Sequence, residues 1–152
     1  MLEKAQWHFT KAGLDVGVNE SNAQVVALIQ ERCKTLIDVV EQSKFFFVDI
    51  EEYDPAAMKK WVKPVSPSLL TALIAKLDVL SSWEPELIHE AVQSVVTENE
   101  VGFAKVAQPV RIAVTGSTMS PSIDLTLELL GKEKSMSRLK KALSAFEAKV
   151  AL

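Results

Sequence analysis

The sequence has little of what reactive centres are made from. Its 152 residues include one cysteine, Cys33, and two histidines, His8 and His89. A single thiol excludes an intrachain disulfide and suits a reducing compartment. Set among apolar neighbours, Cys33 reads as a small core residue. Two isolated histidines and one cysteine do not make an ordinary structural zinc site. His89-Glu90 opens like a zinc-binding helix, but Gln93 stands where its second histidine is needed. Glycine is scarce, at five residues, and forms neither a dinucleotide-binding loop nor a P-loop: Gly131-Lys132 is followed by Glu133. No apolar run is long enough to span a membrane, and no apolar signal region with a cleavage site opens the chain. A cytoplasmic protein, without metal or membrane attachment and with no catalytic constellation of its own, is expected.

Hydrophobic residues make up 48% of the chain, enough for a packed core. The net charge of −3 argues against a protein that coats DNA or RNA generically, but it leaves room for a local basic face. Acidic residues gather at Asp49, Glu51, Glu52 and Asp54, and basic ones at Lys132, Lys134, Arg138, Lys140, Lys141 and Lys149. Solvated surfaces account for both groups; the alternative for the basic end is proximity to phosphate.

The apolar residues recur at the helical period, and no pair of alternating strands appears. Leu2 to Ala12 reads as a helix stopped by Gly13, with His8 a packed or surface residue within it. Ser21-Asn22-Ala23-Gln24 has the form of a capping box before Val25, Leu28, Ile29 and Cys33. Thr35 can cap a short helix through Val40. Phe45-Phe46-Phe47-Val48 has strand composition but no partner, and is expected to be an extended core-filling segment. Asp54-Pro55, Ser66-Pro67 and Glu84-Pro85 each pair a cap with a proline in the first turn. The residue before Pro64 is pushed out of the helical region, and a boundary there gives two packed all-α subdomains of short helices, residues 1–62 and 63–152. Asn99 to Ala107 reads as a connection around Gly102.

Most of the remaining punctuation falls between Gln108 and Leu143. Pro109 is placed to open a helix, and Gly116 to close it in the left-handed conformation. Ser120 and Pro121 are placed to start a second helix that Gly131 ends. Ser135 or Ser137 caps a third, carrying Met136, Leu139, Leu143 and Phe146. From the residues alone, Ser120-Pro121 is a helix start, and Arg111 is either an ion-paired or solvated side chain or a reader of a ligand.

The order Gln-Pro-Val-Arg-Ile-Ala-Val-Thr-Gly, Ser-Pro, Leu-Leu-Gly-Lys-Glu, Ser-Arg-Leu resembles the C-terminal end of bacterial glutamyl-tRNA synthetases. Val25 to Arg32, Lys34-Thr35-Leu36 and Phe46-Phe47 look like the helical domain that precedes it in that family. The resemblance implies a helical anticodon-binding architecture and, as partner, the anticodon arm of glutamate tRNA. It also implies a parent enzyme that ligates glutamate to tRNA with ATP and magnesium in a catalytic domain. The HIGH and KMSKS signatures of that domain are missing here; Lys134-Ser135-Met136-Ser137-Arg138 falls where the family has an ordinary helix. The chain is therefore expected to be a cut piece of a longer enzyme, inactive by itself and monomeric, needing no cofactor and binding no DNA.

The resemblance carries anticodon contacts onto Arg111, Ser120, Pro121 and Ile123, and a reader of the third anticodon base onto Arg32. Arginine's planar fork suits base edges and base faces, and unstacked loop bases expose both. Pro121 and Ile123 are expected to give a base an apolar surface. Asp124 is expected to complement the helix dipole. Phosphate contacts are expected from Lys132, Lys134 and Arg138. The competing reading is a helical protein-interaction module with no nucleic acid partner.

Overall fold

A computed structural model describes residues 2–11, 13, 20–31, 33–47, 50, 52–118 and 122–151. Among them are nine helices and no strand. The chain forms two compact units, Met1–Asp49 and Ile50–Leu152.

The first unit holds α1 (Leu2–Lys11), α2 (Glu20–Gln30) and α3 (Leu36–Phe47), each packed on the other two. Phe9, Val25, Val26, Ile29, Val39 and Phe46 are its buried apolar side chains. Thr35 caps α3, its hydroxyl accepting from the Asp38 N–H at 3.1 Å. The capping box is displaced, because α2 already begins at Glu20 and Ser21 lies inside it. The phenylalanine run is not extended. It forms the last turn of α3, where Phe46 falls two helical turns after Val39 and shares its buried side. With no neighbouring strand to pair it, the backbone satisfies its polar groups within the helix. Cys33 is half-buried and lies outside this core.

The second unit holds α4 (Pro55–Trp61), α5 (Ser66–Asp78), α6 (Pro85–Glu98), α7 (Phe103–Thr115), α8 (Ile123–Leu130) and α9 (Lys132–Val150). Helix α7 packs against the other five. Seven of its thirteen residues are buried, which makes it the axis of the unit. Leu69, Leu70, Leu73 and Leu77 from α5 and Ile88, Val92 and Val95 from α6 complete the core with Leu127, Leu139 and Phe146. The compact units divide before Ile50, not at the proline after Lys63. Helix α4 packs on α7, the Asp54 N–H donates to the Gly116 carbonyl at 2.7 Å, and Lys149 reaches the Val62 carbonyl at 3.2 Å.

Helix α5 has Val65 at its cap position, so Ser66, expected as the cap, lies inside it and is buried; three more helix starts of this unit differ from those expected. Helix α7 begins at Phe103 behind Gly102, so Pro109 lies in its interior and residues 103–107 are helical, not a connection. A proline there deprives the carbonyl four residues earlier of a donor; Lys105 is exposed, and water can serve it. Burial of the Pro109 ring on the axis offsets what the helix loses. Helix α8 begins at Ile123 with Ser122 at the cap position; Ser120 and Pro121 lie outside the described residues. Helix α9 begins directly at Lys132, because Gly131 at φ 86° ends one helix and starts the next. Ser135 is then buried inside α9, its hydroxyl donating to the Leu127 carbonyl at 3.2 Å.

Candidate functional site

Arg111 stands in the second half of α7, between the buried Val110 and Ile112. It is half-buried, with Nε shielded from solvent, so its stem is embedded while the residue keeps a partly accessible surface. One turn on, the Thr115 hydroxyl lies 2.7 Å from the Arg111 carbonyl and 2.8 Å from that of Ser117. The Ser117 N–H donates back to it at 3.3 Å. Thr115 thus fastens the end of α7 to the corner that follows.

That corner turns on Gly116, at φ 85°, whose N–H donates to Ile112 at 2.8 Å. A Cβ on Gly116 would lie 3.0 Å from the Glu52 carbonyl oxygen. Glycine is required there twice over, for the left-handed backbone and for the close approach. The segment from Glu52 to Asp54 lies against the corner and is bonded to it through Asp54.

Residues 119–121 lie outside the described residues, and Ser122 stands at the cap position of α8. The first N–H groups of a helix are good donors to oxygen ligands, and Asp124 lies in this first turn, where its charge complements the dipole. Ile123 does not offer an apolar face to a base, since its side chain is buried in the core. Helix α8 is anchored at its other end. The Trp83 indole N–H donates to the Leu127 carbonyl at 2.7 Å, beside the Ser135 hydroxyl and the Gly131 N–H on the same oxygen. Trp83 and Thr115 were not singled out from the sequence. Their only signals were position: Trp83 before the Glu84-Pro85 cap, and Thr115 before Gly116.

The basic end of the chain behaves differently from the surface expected of it. Arg138 is buried, and its guanidinium donates to the Val114 carbonyl at 2.7 Å. It is an internal tie and not a side chain turned to phosphate. Lys132 donates to the Asp78 carbonyl at 3.0 Å, and Lys141 to that of Ile50 at 2.9 Å. Asp78, Val114 and Val62 stand at the C-terminal ends of α5, α7 and α4. The carbonyls there lack donors within their own helices and carry the negative end of the dipole. Helix α9 therefore spends Lys132, Arg138 and Lys149 on closing three other helices. Lys134 remains exposed. Arg32 lies outside the described residues. Among the described residues no group of three His, Cys, Asp or Glu side chains could hold a metal ion. No helix among them is long and apolar enough to cross a membrane.

The model of the anticodon binding domain family matches residues 1–143, and the chain belongs to that family. It is 42% identical over 147 residues to a glutamate–tRNA ligase of Legionella pneumophila (strain Philadelphia 1), a match covering 97% of this chain and 31% of the relative. A glutamate–tRNA ligase of Legionella pneumophila (strain Lens) is 41% identical over the same shares. The fold is similar to the crystal structure of a glutamate tRNA ligase from Elizabethkingia meningosepticum, with a TM-score of 0.83 and 26% identity over 94% of this chain and 28% of that one. The glutamate-tRNA synthetase of Elizabethkingia anophelis matches with a TM-score of 0.80 and 25% identity, over the same shares. The chain thus spans under a third of the length of these relatives.

Proposed function

We propose that this chain is the anticodon-reading part of a glutamate–tRNA ligase and binds the anticodon loop of glutamate tRNA. The reading is carried by the extent of the anticodon binding domain match, which runs through both compact units. Arg111 is the base reader, held at the edge of the axis helix and able to present a planar fork of donors. Ser120 and Pro121 contact the same loop, together with the N–H groups in the first turn of α8. With the Ile123 side chain buried, its part is to hold that turn to the core. Arg32 reads a further anticodon base from the first unit. ATP and magnesium act, on this reading, in the part of the parent enzyme outside this chain. The parent is cytoplasmic and the chain a monomer that ligates nothing alone.

Titration of the isotope-labelled chain with a glutamate-tRNA anticodon stem-loop, followed by backbone amide shifts, tests the reading. Shifts are expected around Arg111 and residues 120–123, and are lost when the anticodon is replaced. Arg111→Ala is expected to weaken binding by about 1–3 kcal/mol and to relax discrimination at one base. Diffuse shifts that ignore the anticodon, or none at all, would replace this reading with the protein-interaction one, for which Val79, 80% exposed, and Trp7 and Ile37, each 62% exposed, are apolar candidates.

A further inference from the structure

Three lysines line one small cleft of the second unit. It encloses about 70 Å³ and is lined by Lys60, Trp61, Lys63, Val65, Ser66 and Lys105. That exceeds the roughly 10–15 Å³ that one ordered water needs, and leaves room for a small anion. A phosphate group is of that scale, and a nucleoside is larger.

Among the described residues no carboxylate lines the cleft, although the chain as a whole carries a net charge of −3. Its frame is fixed. The Ser66 hydroxyl, in a residue only 2% exposed, accepts from the Lys63 N–H at 2.9 Å and donates to the Trp61 carbonyl at 3.3 Å. Lys60 Nζ stands 5.2 Å from the centroid of the Trp61 ring, and Lys63 Nζ is tied to the Lys59 carbonyl at 3.2 Å. Lys60 and Lys63 lie at the C-terminal end of α4, where the helix dipole itself favours cations. Lys105 has no such explanation. It comes from a second helix and lies in the first turn of α7, the end where a cation is disfavoured. It lines the same cleft as Lys60 and Lys63, and an anion entering there would offset the unfavourable end of the dipole that it occupies.

We propose that this cleft is a phosphate clamp that takes one phosphodiester of the bound RNA strand, away from the base-reading corner at Arg111. The inference rests on the RNA-reading function proposed above. Lys60 and Lys105 supply the charge, and the fixed turn from Trp61 to Ser66 holds it in place.

The test is the salt dependence of binding between the full chain and the glutamate-tRNA anticodon arm. It compares the unaltered chain with Lys60→Gln, Lys105→Gln, Lys105→Arg and, as a control on the other unit, Lys11→Gln. These lysines are exposed, so the fold is retained. Each cleft variant to glutamine is expected to reduce the slope of log affinity against log salt by about 0.7–0.9. Affinity should fall several-fold while discrimination between anticodons stays unchanged, and Lys105→Arg should restore the slope. Unchanged slopes in both cleft variants, with the unaltered chain still binding, would overturn the clamp and leave the anticodon reading standing. An equal loss in Lys11→Gln would overturn it too, as diffuse attraction. Amide shifts at the cleft with inorganic phosphate but no slope change would make it a free-anion site instead of an RNA clamp. Failure of the unaltered chain to bind the arm at all would overturn both readings.

Discussion

The Arg138 guanidinium on α9 donates to the Val114 carbonyl in the last turn of α7, 2.7 Å away, and both residues are buried. This bond joins the most basic helix to the axis of the unit. Arg138→Met keeps apolar bulk but leaves a buried acceptor without its donor. It is expected to destabilise the fold by about 1.5–3 kcal/mol, read from urea unfolding. Lys132→Met and Lys141→Met, whose bonds lie at the surface, are each expected to cost under about 1 kcal/mol.

Trp83 is expected to act through its indole N–H as well as its bulk. Trp83→Phe removes the bond to Leu127 while keeping an aromatic ring. A loss of about 0.5–1.5 kcal/mol is expected, with hydrogen exchange rising in α8 before it rises in α5. Ser135→Ala, which removes another donor to the same carbonyl, is expected to add less than its single effect in the double variant, because one oxygen serves both.

Gly116→Ala meets both a left-handed backbone and the Glu52 carbonyl at 3.0 Å. The backbone alone costs about 1–2 kcal/mol, and the contact adds to it. Gly13, at φ 82° with no described residue within 4 Å, isolates the backbone share. Thermal unfolding is expected to rank Gly116→Ala well below Gly13→Ala. Amide shifts should spread from residue 116 to Asp54, whose N–H bonds to its carbonyl.

The points at which the sequence was readable share one cause. Thr35, Asp54 and Gly116 act on backbone groups within a few residues, so their chemistry is visible locally. The misread points depend on distant neighbours. Pro109 resembles a helix start until the burial of α7 is known, and Ser135 resembles a cap until Leu127 is found beside it. Phe45 to Phe47 have strand composition, but no strand exists among the described residues to pair with them. In the candidate site, Arg111 keeps a partly accessible surface, while Ile123 and Arg138 turn inward. A run of lysines gives no sign of which ammonium group will meet a helix end.

Alkaline pH should expose a contribution from Tyr53. Burial pushes its phenol above the ordinary value of 10.0, beside the Phe146 ring. The unfolded chain then loses this proton first as pH rises. Stability from this group is complete below about pH 10 and is lost as pH climbs through the raised folded value. Tyr53→Phe should flatten that part of the stability curve, and phenolate absorbance should appear later in the folded chain than in the denatured one.

The family match stops at residue 143, whereas Phe146 is wholly buried and Lys149 bonds to a carbonyl near the start of the unit. A chain trimmed to the matched span would lose an aromatic plug worth about 3–5 kcal/mol, a large share of the ~5–15 kcal/mol that holds a typical domain together. The last turns of α9 act as the stopper of the whole unit.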